Sequence, residues 1–130
     1  MNAQEYHRKL VALIDSVAII GSSDVSFREI DENECYLKAV LNFVPGHELH
    51  LAEYVAFEKE KITRHKYRYQ LLTPDKKSLA RWDNAPHHKS LSTFPDHHHN
   101  SNDLPHPSRA MSPSDAIAES LALIESSKTS

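Results

Sequence analysis

The sequence predicts an α+β domain: an N-terminal helix packed on a four- to five-stranded antiparallel meander, then a long polar histidine-rich loop and a C-terminal helix. Three observations carry this expectation. Apolar residues recur at helical spacing at both ends of the chain. Between them, over residues 35–72, the period is two. Residues 83–111 then show no period while holding four of the seven prolines and six of the ten histidines.

The first helix is expected over residues 2–20. Tyr6, Leu10, Leu13, Ile14, Val17 and Ile20 share one face, Asn2 and Glu5 form a capping pair, and Gly21 is the stop. These apolar residues read as one face packed on a sheet. A weak strand is expected near Asp24–Ile30. A stronger one follows, with Cys35, Leu37, Ala39, Leu41 and Phe43 on one side and Tyr36, Lys38, Val40 and Asn42 on the other. Pro45-Gly46 makes a hairpin turn. Leu49, Leu51, Val55 and Phe57 repeat the apolar face, with Glu53 out of pattern. The chain turns at Glu58–Lys61, runs as a long strand over Ile62–Thr73, turns at Pro74–Lys77 and ends the meander at Ser78–Trp82. A connection as long as 83–111 is commonly functional or disordered, and residues 100–111 are expected to be mobile. The last helix starts at Ser112, with Pro113 in its first position, Asp115 completing the cap, and Ile117, Leu121 and Ile124 as its stripe.

A chain of 130 residues is read as one domain over 1–130, large enough for a single core. Its one cysteine, Cys35, excludes an intrachain disulfide and a cysteine-based zinc site, so a reducing cytoplasm is expected. The apolar run Leu10–Ile20 is broken by Asp15 and Ser16 and is not read as a signal peptide. No stretch approaches a membrane span, and none is expected. The net charge of −3 excludes a globally basic nucleic-acid binder, but the average hides a gradient. Residues 1–58 carry −6, residues 59–81 carry +6 and residues 82–130 carry −3. The basic quarter attracts phosphates or acidic protein.

Within that quarter, alternation puts Arg64, Lys66 and Arg68 on one face, roughly 7 Å apart. His65, Tyr67, Tyr69 and Leu71 share the other face. Rows of cations at that spacing suit a polyanion backbone, and Tyr rings stack on unpaired bases. The bland alternative is a solvated face with Tyr67 and Tyr69 partly in the core.

The stretch RWDNAPHHKSLSTFPDHHH, from Arg81 to His99, holds five of the ten histidines and the only Trp. The HHH run is internal, so it is not read as a tag. Three readings compete. Asp83, His87, His97 and His99 could form an all-N/O metal site, although the spacing matches no specific zinc pattern. His87, His88, His97 and His99 could supply acid and base to a phosphodiester, with cations for the developing charge. Or the loop is structural: Asp83 and Asn84 cap a turn, Trp82 packs, and the imidazoles are solvated.

The block Arg81-Trp82-Asp83-Asn84-Ala85-Pro86-His87-His88, preceded by His65-Lys66-Tyr67-Arg68-Tyr69 and followed by Thr93-Phe94-Pro95 and His97-x-His99, resembles the TumE-like family of toxin–antitoxin proteins. The resemblance runs over residues 23–125 in order of elements and is most specific in the RWDNAPHH block. It implies a toxin paired with a helix-turn-helix antitoxin, with Arg81, Asp83, Asn84, His87, His88, His97 and His99 as the matching residues. The chain departs from the family pattern at Asp96 and His98, where members usually carry His and Lys. The order of elements is also similar to small ribonuclease toxins of the RelE and ParE kind, which tend to be strongly basic. The resulting expectation is a toxin that cleaves RNA without metal or cofactor. Arg64, Lys66, Arg68 and Arg81, with Tyr67 and Tyr69, would hold RNA. His87, His88, His97 and His99 would be acid and base, with Asp83 orienting one imidazole. A metal-dependent hydrolase using the same loop, or a binding module whose basic strand meets an acidic partner, are the alternatives.

Overall fold

Alternation along the strands gives the sheet two unlike faces, and only one of them is covered by helices. The computed structural model describes residues 1–44 and 46–128. Its elements run α1 (Ala3–Ser16), β1 (Ile20–Asp31), β2 (Glu34–Phe43), β3 (Glu48–Glu58), β4 (Lys61–Leu72), β5 (Ser78–Asp83), β6 (His97–His99), β7 (Pro105–Pro107) and α2 (Pro113–Lys128). The strands form one antiparallel sheet in sequence order. The architecture is α+β, as the sequence predicts.

The inner face is the core. Leu41, Leu49, Leu71 and Ala80 lie opposite one another across β2 to β5, beside the row Ala39, Leu51, Tyr69 and Trp82. All eight are buried. Tyr6, Leu10 and Ile14 of α1 and Ala116, Ile117 and Ile124 of α2 complete the same cluster. Burying such a side chain stabilises by about 1.5–3 kcal/mol. Both caps hold: Asn2 accepts from the Glu5 amide at 2.9 Å, and Ser112 and Asp115 exchange bonds as a capping box.

Glu53 sits on this inner face with its side chain wholly buried. It accepts from Tyr6 at 2.6 Å, Tyr69 at 2.5 Å and Arg64 Nε at 2.9 Å. That network explains how a carboxylate interrupts an apolar strand face. It depends on a β-bulge. Tyr54 lies opposite Lys66, but Val55 lies opposite Arg64, so His65 is an extra residue in β4. Parity reverses there, and Arg64 turns inward while Lys66 and Arg68 stay outward.

Three differences from the sequence expectation have local causes. Helix α1 ends at Ser16, not residue 20, because Val17 is extended, with φ −94 and ψ 108, and Ile20 already pairs with Phe43. Gly21 therefore sits at a bulge in β1 rather than capping the helix. A Cβ at Gly21 would lie 3.0 Å from Val44 Cγ2. In the expected Pro45-Gly46 turn, Pro45 lies outside the described residues, and Gly46 has φ +151, which favours glycine. The described sheet has seven strands rather than four or five, because His97–His99 and Pro105–Pro107 add two short ones after the loop. Residues 100–111 thus include β7. The turn before it is held by Asn100 Oδ1, which accepts from the amides of Asn102 and Leu104.

Candidate functional site

Among the described residues, the outer face of the sheet carries no helix. Register builds it as three rows: Arg28, Tyr36, Tyr54 and Lys66; Lys38, Ala52, Arg68, Asp83 and His97; Val40, His50, Gln70, Arg81 and His99. At the β5–β6 end the loop 84–96 folds back over this face, and His97 and His99 are buried there, 2 % and 5 % exposed. The loop is pinned at both ends. Asn84 accepts from the Tyr67 amide at 2.9 Å and donates to the carbonyls of Arg64 and His65, so it clips β5 onto the bulge of β4. Thr93 donates to the Asp96 carbonyl at 2.8 Å and accepts from the Ser108 amide at 2.9 Å.

The Arg-Trp-Asp-Asn run can now be read residue by residue. Trp82 faces the core and stacks on His98, with ring centroids 5.3 Å apart. Burial, then the neighbouring His106 and His99, hold the His98 ring below its ordinary pKa. Asp83 faces outward and is 5 % exposed. Its Oδ1 accepts from the Ala85 amide at 3.0 Å and faces His97 Nε2 at 2.8 Å, while Oδ2 accepts from Arg81 Nε at 3.0 Å. Three contacts hold the carboxylate, so Asp83 acts as a fixed anchor. His97 Nδ1 in turn faces the Pro95 carbonyl at 2.9 Å. Both of its ring nitrogens point at acceptors.

His99 differs. Its Nδ1 faces the Asp103 carboxylate at 3.1 Å and the Asp103 carbonyl at 3.3 Å. Two acceptors at Nδ1 place the proton there. Nε2 then carries a lone pair, is buried and has no hydrogen-bond partner. Burial lowers the pKa of this ring, with Arg81 adding to the effect against the Asp103 contact. His88 closes the group from the solvent side. Its ring lies 5.1 Å from His97 and 5.5 Å from His99, and those two lie 4.9 Å apart. His88 is held at φ 55, a left-handed conformation uncommon for a non-glycine residue. His87 is exposed, with its ring 6.4 Å from that of His88.

These groups line one end of a cleft of about 960 Å³ that runs along the outer face past Arg81, Arg68 and Lys66 to Tyr54 and Tyr36. The structure therefore brings together His87, His88, His97, His99, Asp83, Arg81, Lys66 and Arg68 from the sequence-predicted set. It separates Arg64, which the bulge sends to Glu53. Tyr69 also lies inside at 0 % exposed, whereas Tyr67, 5 % exposed, still reaches the cleft lining; burial is the main cause raising both hydroxyl pKa values. Tyr67 donates to Asp96 at 2.6 Å. Two features escaped the sequence reading. Asp103 is four residues from His99 across a tight turn, and only the turn geometry aims it at the ring. Tyr36 and Tyr54 become neighbours only through strand register.

Ligand atoms of His88, His97 and His99 lie within 4.8 Å of one another, the spacing at which three imidazoles can take a metal ion. The donor set fits such an ion poorly. His99 offers a free nitrogen, but His97 offers none without losing Asp83 or Pro95, and Asp83 is held by three donors. His87 and Asp83, the other expected ligands, lie outside this group of three.

Among the described residues no helix is long and apolar enough to cross a membrane. No curated protein and no solved structure matches the chain. The family model described as Toxin TumE matches residues 9–128, from α1 through the histidine cleft to the end of α2. The chain belongs to the TumE toxin family.

Proposed function

We propose that this toxin acts by cleaving RNA in the histidine cleft, with His99 as general base and without a metal. The observation that carries the proposal is the state of His99: an imidazole whose tautomer is fixed by Asp103 and whose unpartnered Nε2 is buried behind His88, at the end of a cleft that also holds Arg68 and Lys66. In this reading the exposed His88 ring swings aside as RNA enters, Nε2 takes the proton of a ribose 2′-hydroxyl, and the 2′-oxygen attacks the adjacent phosphorus. The bond from phosphorus to the 5′-oxygen breaks, and that oxygen takes a proton from His88 or, at the cleft mouth, His87. The products are a 2′,3′-cyclic phosphate end and a 5′-hydroxyl end. Lys66 and Arg68 hold phosphates. Arg81, anchored by Asp83, offsets charge on the non-bridging oxygens. A site of action in the cytoplasm, where mRNA lies, and inhibition by a helix-turn-helix antitoxin complete the reading.

The test is induced expression of the intact chain and of His99→Ala, His88→Ala and His87→Ala, scoring growth, RNA integrity and the chemistry of the new ends. General acid–base groups contribute about 10²- to 10⁴-fold each. Loss of toxicity and of RNA cleavage in His99→Ala and His88→Ala, with the fold retained, supports the proposal. Full toxicity in both sinks it.

The spacing of His88, His97 and His99 favours one second reading, a metal-dependent hydrolase at the same place. About one zinc, manganese or iron per purified chain, lost in His97→Ala/His99→Ala, would put that reading first.

A further inference from the structure

The sheet face beyond the histidines holds a row of rings that the cleavage chemistry does not use. Tyr36 and Tyr54 are cross-strand partners on β2 and β3, with ring centroids 4.8 Å apart and planes 23° from parallel. His65, the bulge residue of β4, continues the row 5.2 Å from Tyr54. Arg28 closes the other end, its guanidinium 5.8 Å from the Tyr36 centroid. Nothing in the core needs these rings. Tyr36 is 43 % exposed, His65 is exposed, and the Tyr54 hydroxyl is tied back to Glu34. The inner face of the same strands already has its own aromatic and aliphatic rows.

The cations around the row also lack carboxylate partners. Among the described residues no ion pair involves Arg28, Lys38, Lys66 or Arg68, although Arg64 and Arg81 each have a carboxylate partner. Ala52, flanked by Tyr54 and His50 along β3, leaves a low floor between Lys38 and Arg68. A second depression of about 320 Å³ shares Lys38, Ala52 and Arg68 with the main cleft. Part-exposed rings beside cations without carboxylate partners, on a sheet face leading to the histidine cleft, fit the recognition chemistry of an unpaired nucleic-acid strand. A duplex hides its base faces and could use only the cations.

We propose that Tyr36, Tyr54 and His65 form a base-stacking platform that restricts the toxin to single-stranded RNA, with Lys38, Lys66 and Arg68 tracking the backbone into the histidine cleft. This rests on the RNA-cleaving reading above, and binding is measured separately from cleavage so that the two can fail separately.

The probes are a short labelled single-stranded oligoribonucleotide, its duplex, and an abasic strand of equal length and charge. They are titrated against the intact chain, Tyr36→Ala/Tyr54→Ala, and Tyr36→Phe/Tyr54→Phe. Each stacked base is worth roughly 5- to 150-fold in affinity. The intact chain and the Phe variant are expected to prefer the single strand to duplex and abasic strand by at least that lower factor. The Ala variant loses the preference while keeping the salt dependence, because its cations remain. Equal affinity of the intact chain for single and abasic strands overturns the platform but leaves RNA cleavage standing. So does an Ala variant that binds RNA normally but no longer binds the antitoxin, which would make the rings a protein-docking surface. RNA bound and discriminated but not cleaved leaves the platform standing and removes the catalytic reading. No RNA binding by the intact chain overturns both.

Discussion

Arg64→Ala separates a core cation from a binding cation. Its side chain is 23 % exposed and donates at 2.9 Å to Glu53, whose side chain is 0 % exposed. It also packs 5.7 Å from the Tyr6 ring centroid. Removing one partner of a buried ion pair costs about 3–5 kcal/mol. Glu53 would keep the hydroxyls of Tyr6 and Tyr69, and water reaches the exposed part of the vacated site, so the lower end applies, about 3 kcal/mol. Against a total stability of about 5–15 kcal/mol for a domain, that is a large fraction and lowers Tm by on the order of 10 °C. Urea unfolding followed by far-ultraviolet circular dichroism measures it, with the slope m unchanged if the denatured state is unaltered. Lys66→Ala and Arg68→Ala are the controls. They lie on the outer face without ion pairs, so their stability changes stay within about 0.5 kcal/mol. Each should instead reduce the salt slope of RNA binding by about 0.7 to 1. An Arg64→Ala protein of undiminished stability, with the reduced salt slope of its neighbours, would show that the bulge does not turn Arg64 inward.

Acid should destabilise the fold. Burial lowers the pKa of His47, His98 and His99, so below the ordinary histidine value the unfolded chain takes up protons that the fold resists, and unfolding free energy falls as pH falls through that range; stability that stays flat there would contradict it. The same sign places the acidic limb of the cleavage profile below the ordinary histidine value, because the base works as the neutral ring, and a limb well above that value would exclude His99 as base. Asp103→Ala leaves the His99 tautomer unfixed and should reduce cleavage by about tenfold or more, with partial recovery in Asp103→Asn, whose side-chain oxygen still accepts; equal activity of all three chains would remove Asp103 from the mechanism. Asp83→Ala leaves His97 Nε2 without its acceptor and Arg81 with Asp103 alone, at 3.7 Å, and should cost about 3 kcal/mol, read by thermal melting; a melt like that of the intact chain would show that Asp83 is no anchor.

The sequence by itself determined the two capped helices, the alternating strands and the concentration of chemistry around residues 81–99. These are local signals: a cap needs residues three apart, and alternation needs only neighbours along one strand. The RWDNAPHH block further carried the family resemblance. Tertiary structure decided the rest. One inserted residue, His65, reverses parity in β4 and moves Arg64 from the expected cation stripe into the core, and no periodicity along one strand reveals a bulge defined by its pairing with another. His97–His99 is too short to show a period, so its pairing with β5 rests on the loop being pinned at Asn84 and Thr93. That pairing sets His97 and His99 beside Asp83 and Arg81 and puts His98 against Trp82 on the other face. The Tyr36–Tyr54 row follows from register alone. Register is fixed by which side chains the core buries, and a list of residues does not contain that until the strands meet.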